Sequence, residues 1–255
     1  MKSRNGWGAE HIVYVGATLA TVIGAVTGRL ALQQAAKPLI APALAVRVLR
    51  RRGDIDPVDA ALLLGGLAAA TVGDVFMIDP DDDSRLVRGA SSFAVMQISY
   101  STLLAKNGAR PTAAALVPRL AGWLAAAGLL RTRAADVAAP LTVYGSLLGA
   151  TSTLSADPAV APGSATIANM SVPGRDRRSW LGAGGLLFTA SDGLIVVRKL
   201  FVRSEPGRAV AEGAILASYA AAQLLLVEGM LALGGRSGRS RGRSSRSRSG
   251  VRGRA

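Results

Sequence analysis

The sequence has no cysteine, one histidine, 4% aromatic residues and hardly any strand-like alternation of polar and apolar positions. Without cysteine there can be no disulfide framework, no thiolate metal site and no thiol nucleophile. The lone histidine, His11, stands at the edge of the first apolar run and reads as an interfacial side chain rather than a ligand. What the chain does have is apolar length: half of its 255 residues are hydrophobic. They gather in runs close to the roughly 20 residues that cross a bilayer, separated by short charged or Pro/Gly-containing breaks. The expected fold is therefore all-α, a polytopic membrane bundle rather than a soluble α/β domain.

Eight apolar spans can be drawn, over about 12–26, 30–49, 62–78, 86–105, 112–130, 137–154, 181–197 and 209–233. Lys2 and Arg4 ahead of the first span fit a signal peptide or a first transmembrane helix. The lack of a small-residue cleavage site before Arg29 selects the helix. This gives a cytoplasmic N-terminus over 1–10, an eight-helix transmembrane domain over 11–233, and a disordered tail over 234–255, where arginine alternates with serine and glycine. The net charge of +14 sits between the spans and in the tail. That is how membrane topology distributes cations, and a nucleic-acid partner would account only for the tail. An even number of spans puts both termini on one side, cytoplasmic by the positive-inside rule, although the four cations of 198–208 fall on the opposite side. Asp79-Pro80-Asp81-Asp82-Asp83 lacks the glycine and distal glutamate of an EF-hand and reads as a solvated turn.

Two spans each carry one aspartate. Asp74 follows Gly73 in the third and Asp192 follows Ser191 in the seventh. An ionisable side chain at bilayer depth costs roughly 2.5–3.5 kcal/mol on insertion scales and normally faces a bundle interior or cavity. Interhelical hydrogen bonding alone, at about 0.6 kcal/mol on average, is a small return for that cost. At about 1.5 Å per residue, Asp74 and Asp192 lie some 6 and 9 Å from the ends of parallel spans, with Lys37 and Tyr144 roughly 10 Å and Tyr219 about 15 Å from the same face. A carboxylate pair in a common pocket is the expectation. Lys37, beside Pro38, either snorkels to the interface or points inward as a counter-ion, and its position favours snorkelling. Pro38/Pro140, Gly73-Asp74/Ser191-Asp192 and Phe93-x-x-x-Gln97/Tyr219-x-x-x-Gln223 recur four spans apart, the pattern of a parallel 4+4 duplication.

Lys37-Pro38-Leu39, Gly73 to Met77, Phe93 with Tyr100, Tyr144, Phe188-x-x-Ser191-Asp192 and Tyr219 with Ala222-Gln223 together resemble the YhhN-like integral membrane family, which includes the lysoplasmalogenases. Gln97 stands where that family commonly has histidine, and the arginine-serine tail lies outside the family pattern. The resemblance implies hydrolysis of the vinyl ether of a lysoplasmalogen or another amphiphilic ether lipid, without metal or organic cofactor. Asp74 and Asp192 would be the acid and base, supported by Lys37, Gln97, Tyr100, Tyr144, Ser191, Tyr219 and Gln223. Burial and mutual repulsion separate the titrations of paired carboxyls, so one can hold a proton while its neighbour is ionised. A proton-coupled or lipid-moving transporter would also place carboxylates and a lysine in the membrane, with inverted rather than parallel repeats.

Overall fold

The computed structural model describes residues 8–79, 81–163, 165–167 and 170–249, with side chains described over 8–79, 81–163 and 172–234. Lys2 and Arg4 lie outside the described residues. The helices are α1 (Ala9–Val26), α2 (Leu30–Ala36), α3 (Ile40–Arg51), α4 (Pro57–Phe76), α5 (Asp83–Lys106), α6 (Ala113–Arg133), α7 (Ala135–Ser155), α8 (Trp180–Phe201) and α9 (Glu205–Ser249). An antiparallel hairpin, β1 (Ala165–Ile167) with β2 (Met170–Val172), is set into the α7–α8 connection and pairs Ala165 with Val172.

Local chemistry sets the helix starts and stops. The Asp56 carboxylate accepts from the Val58 amide at the head of α4, where Pro57 occupies the first helical position. Asp82 caps α5 through the amides of Ser84 and Arg85, and Thr112 caps α6 through that of Ala115. Gly28 and Gly108, with φ of 68° and 98°, take the left-handed conformation just past the ends of α1 and α5, which a side chain would resist.

Six helical stretches are long and apolar enough to cross a membrane: Ala9–Val26, Pro57–Phe76, Ala113–Arg133, Ala135–Ser155, Arg177–Phe201 and Glu205–Gly234. The protein is thus an all-helical membrane protein apart from its short hairpin. Two of the eight expected spans do not qualify singly. The second is broken by a 3-10 turn, Lys37–Leu39, between α2 and α3, where Pro38 withholds a backbone donor. The fourth, α5, carries Arg85, Arg88, Gln97 and several serines along its length. The backbone of α9 is helical to Ser249, into the stretch where disorder is expected.

The core runs along the bundle axis. α4 packs on α3 and α5, α7 on α5 and α6, α8 on α7 and α9, and α1 on α3 and α9, whereas α6 rests on α7 and touches α8 only at its edge. Small residues let the helices approach. A Cβ at Gly66 or Gly73 would lie 2.8 Å from the rings of Tyr100 or Phe93, and one at Gly184 would lie 2.9 Å from Leu226. Apolar side chains such as Ile12, Leu19, Val117, Leu124 and Val143 face outward, as lipid contact requires.

Each end of the bundle is tied by ions. At the α1 start, Glu10, His11, Arg47 and Glu228 are all buried; Arg47 Nε donates to Glu228 at 2.9 Å and Arg50 to Glu10 at 2.6 Å, while Arg177 also reaches Glu228. His11 is therefore not interfacial. Its Nδ1 accepts from the Gly8 amide, and its Nε2 lies 3.4 Å from Glu228, because the first turn of α1 faces α3 and α9. At the other end Asp81 and Asp83 of the 79–83 stretch hold the α8–α9 connection rather than resting in solvent alone. Asp81 pairs with Arg198 and Arg208, and Asp83 with Lys199.

Candidate functional site

A cavity of about 1310 Å³ lies between α6 and the rest of the bundle. Its wall includes Lys37, Asp74, Phe93, Tyr144, Phe188, Ser191, Asp192 and Tyr219, with Thr112 and Pro158 towards one membrane face and Arg198 and Glu212 towards the other. Most of the remaining lining is alanine, glycine and leucine.

Asp74 is buried near the end of α4. Its Oδ2 accepts from the Tyr219 hydroxyl at 3.0 Å, and its Oδ1 has no hydrogen-bond partner among the described residues. Behind it runs a polar relay. Tyr100 donates to Gln223 Oε1 at 3.1 Å, and Gln223 Nε2 lies 3.3 Å from the Tyr219 oxygen, so a side-chain amide fixes the hydroxyl that holds Asp74. Tyr100 and Gln223 do not line the cavity themselves. Phe93, Phe188 and Tyr219 form a mutual edge-to-face cluster, with centroids 5.6–6.3 Å apart, that fixes the Tyr219 ring from the apolar side.

Asp192 is half-buried on α8 and accepts from the Tyr144 hydroxyl of α7. Ser191, next to it, turns away from the carboxylate and donates to the Ile215 carbonyl at 3.0 Å, tying α8 to α9. Gln97 is fully buried, with its amide beside the Tyr144 hydroxyl. Lys37 does not snorkel. It is 4% exposed, and its ammonium donates at 2.6 Å to the carbonyl of Met77, the C-cap of the helix that carries Asp74. The 3-10 turn at Lys37-Pro38 aims the side chain inward, and the free carbonyls at a helix C-terminus attract a cation.

Arg119 also lines the cavity, although it is not among the site residues expected from the sequence. It sits in α6, where Pro118 interrupts the backbone ladder, and it donates from Nε to Ser152 at 2.7 Å and from Nη1 to the Ala115 carbonyl at 2.8 Å. The signal was available, since α6 contains no acidic residue to balance a cation one and a half turns inside an apolar run.

Such a site can hold a long apolar chain and can deliver and accept protons at two points. Comparison with known proteins gives one match, the YhhN family model over residues 32–230. No curated protein and no solved structure matches. The matched region begins just before Lys37, ends just past Glu228 and contains both aspartates and both tyrosines, so the chain belongs to the YhhN family.

Proposed function

We propose that the protein is a lysoplasmalogenase-like ether hydrolase that cleaves the vinyl ether of a single-chain amphiphile inside the bilayer. One observation carries this reading: two carboxylates on different helices, each held by a tyrosine hydroxyl, open onto the same largely apolar cavity. One carboxyl donates its proton to the alkenyl carbon beyond the one bonded to oxygen, and the carbon–carbon π pair forms the new C–H bond. The adjacent carbon becomes an oxocarbenium ion. Water adds to it and gives up a proton to the other carboxylate. The resulting hemiacetal collapses to a fatty aldehyde and a glycerophospho-alcohol. The buried amide of Gln97 beside Tyr144 supports the reading, because it adds polar capacity next to the hydroxyl that holds Asp192.

In this proposal α2–α3 and α5 also cross the membrane, giving eight crossings with both termini cytoplasmic. Parallel duplication is supported by equivalent contacts. Gly66 and Gly184 each stand eight residues before their aspartate, and they meet Tyr100 and Leu226, each seven residues beyond Phe93 or Tyr219. A transporter built on inverted repeats would not place these contacts in the same chain direction.

The test is to incubate purified protein with lysoplasmalogen and measure aldehyde release, with Asp74→Asn and Asp192→Asn as controls. Release is expected from the wild type and from neither variant, and the double variant should be little worse than either single one. Activity should follow a bell in pH that reports the pair. Aldehyde from either Asn variant, or none from the folded wild type, would sink the proposal.

A further inference from the structure

Arg119 is a permanent cation lining a cavity inside the bundle, yet no carboxylate lies within salt-bridge distance of it among the described residues. The other inward cations are accounted for: Arg47 and Arg198 have carboxylate partners, and Lys37 has the Met77 carbonyl. Ser152 and the Ala115 carbonyl fix the Arg119 guanidinium through Nε and Nη1, leaving Nη2 with no protein partner among the described residues. An oriented guanidinium with an unused edge suits the oxygens of a phosphate or similar anion.

We propose that Arg119 anchors the phosphate of the lipid headgroup that occupies this cavity, an inference that rests on the ether-hydrolase reading of the same site. The spacing fits that role. α6 and α8 start from the same membrane face; Arg119 is six residues into α6 and Asp192 twelve into α8. At about 1.5 Å per residue their axial separation is roughly 9 Å. In a 1-alkenyl glycerophospholipid six bonds link the ether-bearing alkenyl carbon to phosphorus, an extended reach of roughly 7 Å at about 1.2 Å per bond, with phosphate oxygens beyond that. A phosphate on Arg119 therefore brings the vinyl ether level with Asp192 and sends the chain on along the apolar wall of α6. The cavity exceeds the roughly 300–1,000 Å³ of a drug-sized site, as an extended amphiphile requires.

The experiment measures binding, not turnover. A saturated 1-O-alkyl lysophospholipid, which lacks the reactive double bond, is compared in detergent with the 1-O-alkylglycerol of the same chain, using wild type, Arg119→Gln and Arg119→Lys. The wild type should prefer the phosphate-bearing ligand about ten- to hundredfold. Arg119→Gln should erase that preference and leave alkylglycerol binding unchanged, and Arg119→Lys should restore only part of it. If Arg119→Gln does not fold, the partial loss in Arg119→Lys carries the test. An undiminished preference in either folded variant overturns the proposal, as does its absence from the wild type. Inorganic phosphate alone should neither bind nor compete; Arg119-dependent binding of phosphate without a matching gain for the lipid would mark a free-anion site and overturn it too. Intact preference without aldehyde release would sink the hydrolase reading alone, and release without preference would sink the anchor alone.

Discussion

Alanine at Gly73 would place a Cβ 2.8 Å from Cε2, 2.9 Å from Cδ2 and 3.1 Å from Cζ of Phe93. The ring cannot simply retreat, because it is packed edge-to-face against Phe188 at 6.3 Å and Tyr219 at 5.6 Å. Overpacking of this kind costs about 1–3 kcal/mol, and replacing glycine by alanine in a helix returns about 1 kcal/mol. The net effect of Gly73→Ala is a loss of about 0–2 kcal/mol. A methyl group at Gly65, on the same helix, would meet nothing within 4 Å, so Gly65→Ala should gain about 1 kcal/mol. The two variants carry the same chemical change in one helix and should differ by about 1–3 kcal/mol. Thermal unfolding in detergent would read this as a lower midpoint for Gly73→Ala and an unchanged or higher one for Gly65→Ala. Aldehyde release should fall only in Gly73→Ala, since displacing Phe93 moves the Tyr219 ring whose hydroxyl holds Asp74. Equal midpoints and equal activities would refute both the packing argument and the link from Gly73 to the site.

Lys37→Met should lower turnover about ten- to hundredfold while leaving expression near normal, because it removes a charge-assisted hydrogen bond together with the burden of a buried charge; wild-type rates would contradict this. Burial raises the Asp81 carboxyl, but hydrogen bonds and charge from Arg208 and Arg198 outweigh it and hold it below the usual carboxylate range. Its contribution to stability is present above the unfolded value of about 3.9 and is lost as pH falls through the lowered folded value. Asp81→Asn should therefore be less stable than wild type at neutral pH, by under about 1 kcal/mol for so exposed a carboxylate, and equal to it in acid; a deficit that widens on acidification would oppose the pairing. With no native cysteine to remove, Gly53→Cys and Arg203→Cys should react with an impermeant thiol reagent from opposite sides of the membrane, and labelling from one side would end the eight-crossing topology.

The helices were legible because apolar length and capping chemistry are local. Pro57 behind Asp56 marks the start of α4, and the apolar stretch runs on to Phe76. Asp74 and Asp192 could be singled out because a carboxylate in such a run is conspicuous, and their depth followed from helical rise. The direction of a long side chain was not legible. Lys37 turns inward because the 3-10 turn reorients it towards a carbonyl forty residues away in the chain, a fact no local pattern contains. The pairing of the 198–208 cations was hidden for the same reason: although Glu212 lies near Arg198, the carboxylates of Asp81 and Asp83 that pair with Arg198, Lys199 and Arg208 lie more than a hundred residues earlier.

The thin attachment of α6 bears on how occupancy of the cavity is counted. This helix supplies one wall of the cavity, and Ala115 and Leu130 are its only buried residues. A ligand passing that wall comes from the plane of the membrane, where each methylene already gains about 0.8 kcal/mol by leaving water. On the proposed function, saturation follows the mole fraction of the amphiphile in the bilayer or micelle and not its millimolar amount in the tube. Adding detergent at constant total ligand would dilute it in two dimensions and slow the protein without inhibiting it.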